Sequence, residues 1–156
     1  MGVGVIGCGD ISGRYLENFR KLEGVEVVAV ADTDAQRARA QAERFAVGNV
    51  CSTDGLLARD DLELVVNLTP PPAHAEIASR ALRAGKHVYN EKPLAADRDD
   101  AKELLELART AKLHIGCAPD TFLGAGLQTA RALLDAGEVG APVAAAGFML
   151  THGPDH

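Results

Sequence analysis

The chain has 156 residues, enough for one domain with a full core, and 47% hydrophobic against 24% charged residues is an ordinary globular composition. Its formal net charge of -6, without a lysine and arginine cluster, argues against nucleic acid as a partner. No apolar run reaches the ~18 residues that span a bilayer, and no secretory leader precedes Val3. The three cysteines match neither a disulfide framework nor a metal pair. We therefore expect a cytoplasmic protein with no membrane partner and no metal site.

The first third of the chain alternates short apolar runs with amphipathic segments. Residues 3–6 form an apolar run that ends in glycines, which predicts a strand buried on both faces. Apolar side chains recur over residues 11–22 at spacings of four, four and three, which predicts a helix. Residues 25–31 predict a second strand, and Asp34 is placed to cap a helix over residues 35–45.

The rest of the chain continues this alternation. Further strands are predicted over residues 50–51, 62–68, 87–89 and 113–117. Further helices are predicted after the prolines at 70–72, after Asp97, and over residues 123–134. His87 and His114 lie on apolar strands, so we expect both to be core residues. Alternating strands and helices favour right-handed crossovers and a doubly wound, Rossmann-type α/β domain with a parallel sheet.

A glycine-rich segment, Gly7-Cys8-Gly9-Asp10-Ile11-Ser12, joins the first strand to the first helix. The glycines lack a Cβ, which lets backbone N–H groups approach a pyrophosphate at the positive end of the helix. Ser12 departs from the third glycine of the usual pattern, and such a turn alone also fits a plain strand-to-helix connection. The residues assigned here to cofactor binding are Gly7, Gly9, Asp10, Ile11 and Ser12.

Asp32 ends the second strand, where an acidic residue of this fold binds the adenosine ribose hydroxyls. A carboxylate there repels a 2'-phosphate, so the sequence favours NAD as the cofactor, with Thr33 in the same turn. The alternative is that Asp32 only caps the next helix. Arg37, one turn on, is able to accommodate a phosphate, so NADP stays possible.

Two later segments resemble the glucose-fructose oxidoreductase/inositol dehydrogenase (Gfo/Idh/MocA) family. They are Thr69-Pro70-Pro71-Pro72-Ala73-His74 and the segment from Gly85 to Leu94, which contains Glu91-Lys92-Pro93. With the glycine-rich turn they occur in the family's order and at strand ends. The resemblance runs from Val3 to about Gly140, and it implies an oxidoreductase that transfers hydride between NAD(P) and a sugar, cyclitol or related polyol.

The resemblance also implies roles for individual residues. It adds to the cofactor site Thr69, Pro70, His74, Glu91, Lys92 and Pro93. Glu91 resembles the residue at the nicotinamide-side ribose, and Pro93 commonly follows a cis peptide. Lys92 resembles the catalytic lysine, whose ammonium stabilises charge on the substrate oxygen during hydride transfer. From the residues alone, the Glu91–Pro93 segment also fits a solvated loop, and His74 also fits a residue that only hydrogen-bonds a loop.

The resemblance implies a division of the chain into three parts. Residues 1–120 form the NAD(P)-binding domain, 121–141 a connecting helix and turn, and 142–156 the first strand and loop of a truncated α+β substrate domain. Such a strand needs a partner, which makes a homo-oligomer through it possible. Two other functions stay open: a non-catalytic NAD-binding regulatory or assembly module, and an S-adenosylmethionine-dependent methyltransferase, against which the Glu91-Lys92-Pro93 segment argues.

Overall fold

The computed structural model describes residues 1–148 and 150. Residues 1–119 form one compact unit, and the described residues from 120 onward belong to a second. The first unit contains strands β1 (Gly2–Ile6), β2 (Glu26–Ala31), β3 (Val50–Cys51), β4 (Leu64–Asn67), β5 (His87–Asn90) and β6 (Ile115–Cys117). Its helices are α1 (Ser12–Phe19), α2 (Ala35–Phe45), α3 (Thr53–Leu57), α4 (His74–Arg83) and α5 (Arg98–Ala111), with a 3-10 turn at Pro71–Ala73.

The six strands form one parallel sheet in the order β3-β2-β1-β4-β5-β6. The chain builds outward from β1 to β3 in one direction, and then returns to place β4, β5 and β6 on the other side of β1. This reversal confirms the predicted doubly wound α/β fold. In such sheets the crevice outside the carboxyl ends of the two central strands, here β1 and β4, is where ligands bind.

The core consists of two apolar clusters. Strand β1 shows the division, because Val3 and Val5 belong to one cluster with Leu16 of α1, whereas Ile6 belongs to the other with Leu82 of α4. All five of these side chains are buried. Alternate side chains of a strand point to opposite faces, so helices cover the sheet on both sides.

Most predicted elements are present, with differences at their ends. Helix α2 begins after Asp34, whose side chain accepts the N–H groups of Gln36 and Arg37, as predicted. Helix α1 is shorter than the predicted 11–22, because it ends at Phe19. Helix α3 was not predicted: it has only five residues and includes a glycine.

The expectation that two histidines belong to the core is wrong. His114 is exposed and precedes β6, while His87 is only half-buried. The backbone N–H of His114 donates to Nδ1 of His87 at 2.9 Å, and the two rings lie 5.2 Å apart. The pair lies beside the amino ends of β5 and β6, at the sheet edge opposite to the one that carries the predicted cofactor residues.

The second unit contains a 3-10 turn at Thr121–Leu123 and helix α6 (Ala125–Asp135). The structure forms no strand over residues 142–148 and 150, where the sequence predicts one. A strand needs a hydrogen-bonded neighbour, and the described residues of this unit contain no other strand to supply it. Residues 151–156, where the following loop was predicted, lie outside the described residues, and the division after residue 120 and an oligomer formed through this segment stay predictions.

Within the described residues, no helix is long and apolar enough to cross a membrane. The same residues contain no group of three or more histidine, cysteine or acidic side chains that is arranged to hold a metal ion.

Candidate functional site: a cradle at the carboxyl ends of β1 and β4

The glycine-rich turn lies at the crevice between β1 and β4. Gly7 has a φ of 97°, which favours glycine, and a Cβ on it would lie 2.6 Å from the Leu68 carbonyl carbon. Its N–H donates to the Ala31 carbonyl at 2.8 Å, which ties the turn to β2. Gly9 is different, because a Cβ there would meet nothing within 4 Å. Gly7 is thus required for packing, whereas Gly9 borders open space.

Ser12 takes the place of the third glycine and is fully buried. Its hydroxyl donates to the Gly9 carbonyl at 2.6 Å, and its backbone N–H reaches the same oxygen at 3.0 Å. The departure from the glycine pattern therefore supplies a hydrogen bond that fixes the turn. Among the described residues, we find no protein acceptor for the N–H groups of Gly9 and Asp10. Asp10 and Ile11 are exposed beside them.

Asp32 is half-buried and hydrogen-bonded to this turn. One carboxylate oxygen accepts the Cys8 N–H at 2.7 Å, and the other accepts the Asp34 N–H at 2.8 Å. The Thr33 hydroxyl lies 3.4 Å from the second oxygen. Arg37 is exposed and pairs loosely with Asp34 at 3.9 Å. A negative charge therefore lies at the end of β2, next to the glycine-rich turn.

Cys8 lies within the turn, and its thiol is buried. Burial, together with the nearby Asp32 carboxylate, raises the pKa of Cys8 from 9.0 to about 12. Burial also raises the pKa of Cys117, the last residue of β6, at the same edge of the sheet. A nucleophilic cysteine requires the thiolate, so neither residue has the environment of a catalytic thiol at neutral pH.

The loops after β4 and β5 are joined by a buried amide pair. Asn67 and Asn90 end these strands in register, and both are fully buried. Asn67 Nδ2 donates to Asn90 Oδ1 at 3.1 Å, while Asn67 Oδ1 accepts the Thr69 hydroxyl at 2.7 Å. Asn90 Nδ2 donates to the Leu94 carbonyl at 2.8 Å. Each amide thus holds the loop that follows its own strand, while the pair holds the two loops together.

His74 makes a second connection between these loops. Its ring is 1% exposed, with Nε2 at 2.7 Å from the Thr69 carbonyl oxygen and Nδ1 at 2.6 Å from the Pro93 carbonyl oxygen. A neutral imidazole donates through only one nitrogen, and a protonated one through both. With both nitrogens engaged by backbone, His74 has no ring atom left for a ligand. The geometry therefore favours a bracing role of His74 behind the loops, and its contact with the cofactor stays a prediction.

Glu91 begins the predicted nicotinamide-side segment, and both of its carboxylate oxygens are engaged. The Tyr15 hydroxyl donates to Oε1 at 2.9 Å, and the Lys92 N–H donates to Oε2 at 2.7 Å. The Lys92–Pro93 peptide is cis, as the resemblance implied. The Lys92 side chain is exposed, and so is Pro70 on the neighbouring loop. The loop thus presents an exposed lysine next in sequence to a held carboxylate.

The structure brings the predicted residues to one edge of the sheet. The turn after β1, Asp32 after β2, the Thr69–Pro70 loop after β4 and Glu91–Pro93 after β5 all lie at carboxyl ends of strands. The structural roles of Tyr15, Asn67 and Asn90 were not predicted from the sequence. A polar amide as the last residue of two apolar strands, each directly before a motif, is the pattern that indicates the asparagine pair.

The glycine-rich turn from Gly7 to Ser12 forms a cradle that fits a dinucleotide pyrophosphate. The open space at Gly9, which a Cβ would fill, lies at the positive end of α1, beside two N–H groups that have no acceptor within the described part of the chain. The carboxylate of Asp32 lies on one side of this space. The arrangement is therefore able to hold an anionic phosphate pair by backbone N–H groups, with an acceptor for sugar hydroxyls nearby.

Comparison with known proteins gives a family and several relatives. Residues 1–118 match the family model described as oxidoreductase family, NAD-binding Rossmann fold (Gfo/Idh/MocA). A dTDP-3,4-didehydro-2,6-dideoxy-alpha-D-glucose 3-reductase of Streptomyces violaceoruber is 42% identical over 88% of this chain and 41% of its own length. An inositol 2-dehydrogenase of Salmonella typhimurium is 32% identical over 90% of this chain and 43% of its own length.

The same fold is found in solved structures. A 3-ketoreductase from Actinomadura kijaniata, crystallised with NADP, superposes with a TM-score of 0.82 and 38% identity over 88% of this chain and 44% of the reductase. The chain thus spans less than half the length of these relatives. Since the family model covers about three quarters of the chain, the chain belongs to the Gfo/Idh/MocA oxidoreductase family and contains its NAD-binding Rossmann domain.

Proposed function

We propose that this chain is the cofactor-binding part of an oxidoreductase that transfers hydride between a nicotinamide dinucleotide and a sugar, cyclitol or related polyol. The observation that carries the proposal is the convergence of the open glycine cradle, Asp32 and the Glu91–Lys92 segment at one sheet edge. The relatives support the substrate class, because one reduces a sugar nucleotide and another is an inositol dehydrogenase by name. We also keep the prediction of a cytoplasmic location.

In this proposal the turn after β1 binds the pyrophosphate. The N–H groups of Gly9 and Asp10 donate to phosphate oxygens, and the α1 dipole adds to the attraction. Ile11 lies exposed in the same turn, where we place it next to the cofactor, and Ser12 keeps Gly9 in place through its hydroxyl. The Thr69–Pro70 loop, held by Asn67 and His74, lies along the bound dinucleotide.

We propose NAD as the preferred cofactor. Asp32 offers acceptor oxygens to the two adenosine ribose hydroxyls, and its charge repels a 2'-phosphate. The Actinomadura relative was crystallised with NADP, so cofactor choice differs among members of the family or extends to both cofactors. In this chain Arg37 is the cation nearest to Asp32 along the sequence, and its loose pairing with Asp34 leaves it available to a phosphate.

We assign the nicotinamide side to the segment after β5. When bound, the nicotinamide accepts or donates the hydride. Lys92 is the catalytic residue of this chain. Its ammonium lies at a solvent-exposed position beside Glu91, where it is able to stabilise negative charge on the substrate oxygen. Glu91 accepts hydrogen bonds from the nicotinamide-side ribose, and we place Pro93 on the same side of the cofactor.

Direct titration with NADH tests the proposal. The chain contains no tryptophan, so nicotinamide emission is followed without overlap from indole. Saturable binding is expected, and NADH at a hundred times its Kd is expected to raise the free energy of unfolding by about 2.7 kcal/mol. NAD is expected to compete more strongly than NADP. No saturable binding of either cofactor would overturn the proposal.

A non-catalytic NAD-binding module is the second candidate, because Lys92 is the single catalytic residue that matches the family pattern within the described residues. Oxidation of NADH or reduction of NAD with inositol and a panel of sugars separates the two functions. An oxidoreductase shows turnover that Lys92→Ala abolishes while NADH binding stays within about threefold of wild type. Binding without turnover, also when the substrate domain of a relative is added, supports the module.

A further inference from the structure

One hydrogen bond connects the two ends of the candidate cofactor site. The Tyr15 hydroxyl, in the first turn of α1, donates to Oε1 of Glu91 at 2.9 Å across 76 residues of sequence. Helix α1 follows the glycine-rich turn, and Glu91 follows β5, two strands away from β1 in the sheet. The bond therefore links the pyrophosphate side of the site to its nicotinamide side.

The other groups of Glu91 are also fixed. Its N–H donates to the Asn67 carbonyl at 2.9 Å, and its own carbonyl lies 3.8 Å from Cys117 Sγ. The second carboxylate oxygen accepts the Lys92 N–H. The backbone of Glu91 is thus set by the neighbouring strands, whereas the direction of its carboxylate depends on Tyr15 and on the following peptide.

We propose that Tyr15 is a positioning residue for the nicotinamide half of the cofactor. Its hydroxyl holds the Glu91 carboxylate in the orientation that accepts the ribose hydroxyls, and through the Lys92 N–H on the same carboxylate it helps to fix the start of the Lys92 loop. This inference rests on the proposed function, because it takes Glu91 as the ribose ligand. A carboxylate that is held before binding loses less conformational entropy when the ribose arrives.

The ring and the hydroxyl of Tyr15 have separable roles. The ring is half-buried and lies 6.3 Å from the Phe19 ring, one turn further along α1, where it belongs to the apolar packing of the helix. The hydroxyl reaches Glu91. Tyr15→Phe keeps the ring and removes the donor, so it tests the positioning role without opening a cavity.

The test compares the two halves of the cofactor on the same protein. Reduced nicotinamide mononucleotide carries the ribose that Glu91 would bind, whereas ADP carries the adenosine and the pyrophosphate. Titration calorimetry of Tyr15→Phe is expected to give Kd values about three- to tenfold higher for NADH and for the reduced mononucleotide. The Kd for ADP is expected to stay within about twofold of wild type.

Two further variants complete the test. The chain has one other tyrosine, Tyr89, and Tyr89→Phe removes a hydroxyl outside the cradle and is expected to leave all three Kd values unchanged. If Tyr15 acts through Glu91, Tyr15→Phe causes no further loss in a Glu91→Ala background, where the acceptor of the Tyr15 hydroxyl is gone. Thermal unfolding of each variant reports on the fold.

The outcomes separate this inference from the proposed function. If wild type binds neither NADH nor ADP, the proposed function fails. If wild type binds both but Tyr15→Phe binds NADH equally well, the positioning role is overturned. An equal loss of affinity for ADP and for the mononucleotide, or full additivity with Glu91→Ala, also overturns it, because the hydroxyl would then act on the whole domain.

Discussion

The Asp32 carboxylate accepts the backbone N–H of Cys8 at 2.7 Å, so the end of β2 is hydrogen-bonded to the glycine-rich turn after β1. Its second oxygen accepts the N–H of Asp34, the residue that caps α2. Asp32 therefore has a structural part in the turn in addition to the ribose contact that we propose. The sequence left two roles open for Asp32, a cofactor ligand or a local cap. One side chain is able to fill both.

Asp32→Ala removes both parts at once. We expect the free energy of unfolding to fall by about 1 to 3 kcal/mol, because the Cys8 and Asp34 N–H groups lose their acceptor. We also expect the ratio of the NADP Kd to the NAD Kd to fall by about tenfold, since the charge that repels a 2'-phosphate is gone. Urea unfolding and cofactor titration measure the two effects. An unchanged ratio would contradict the proposed basis of NAD preference.

Gly7→Ala and Gly9→Ala form a matched pair. Gly7→Ala is expected to lower the free energy of unfolding by about 2 to 5 kcal/mol, because its φ is 97° and its Cβ would meet the Leu68 carbonyl carbon at 2.6 Å. Gly9→Ala is expected to change stability by less than about 0.5 kcal/mol, since a Cβ there meets nothing within 4 Å.

Cofactor binding is expected to respond to Gly9→Ala, the variant of this pair that leaves stability nearly unchanged. In Gly9→Ala the added methyl group occupies the space that we assign to the pyrophosphate, so we expect NADH binding to weaken by at least about tenfold in a protein that remains folded. ADP is expected to show the same loss. If Gly9→Ala binds ADP with wild-type affinity, the phosphate site does not lie at this turn.

His74→Ala tests the brace between the two loops. The substitution leaves the Thr69 and Pro93 carbonyls without their partner and opens a buried cavity, so we expect a loss of about 2 to 4 kcal/mol in unfolding free energy. His87→Ala serves as the control, because His87 is half-buried outside the cradle, and its loss is expected to be below about 1 kcal/mol. Similar losses for the two variants would argue against the brace.

The buried thiol of Cys8 predicts a loss of stability at alkaline pH. Folding raises the pKa of its thiol to about 12 from an ordinary value of 9.0, so the folded chain keeps a proton that the unfolded chain releases. The contribution of this group to stability is complete below about pH 9 and is lost as the pH rises through about 12. We therefore expect unfolding free energy to fall more steeply between pH 8 and 10.5 in wild type than in Cys8→Ala. Parallel curves would contradict this.

The parts of the fold that follow a local pattern were predictable from the sequence. Helix α2 was predicted over the residues it occupies, because Asp34 caps it and its alanines form a narrow stripe. The glycine-rich turn was predictable because a buried strand that ends in glycines before a helix has few alternatives. Helix α3 escaped prediction, since its cap, the Ser52 hydroxyl on the Gly55 N–H, stabilises only five residues.

The parts of the site that depend on tertiary contacts were not predictable in this way. Tyr15 belongs to the apolar side chains whose spacing predicted a helix over residues 11–22. The spacing of a single helix contains no information about Glu91, 76 residues later. For His74 the sequence left two roles open, at the cofactor or on a loop, because a sequence motif does not say that both ring nitrogens are used by backbone carbonyls. An apolar pattern likewise placed His114 in the core, although the strand starts one residue later and is short.

The Asn67–Asn90 pair has a consequence for protein engineering. Because each amide holds its own loop and also its neighbour, the segments 67–74 and 90–94 behave as one interchangeable part. A graft of the Glu91-Lys92-Pro93 segment into a foreign Rossmann domain would need the partner asparagine, the threonine and the histidine from the other loop. Recombination between family members should therefore tolerate crossovers outside these two segments and penalise those that divide them.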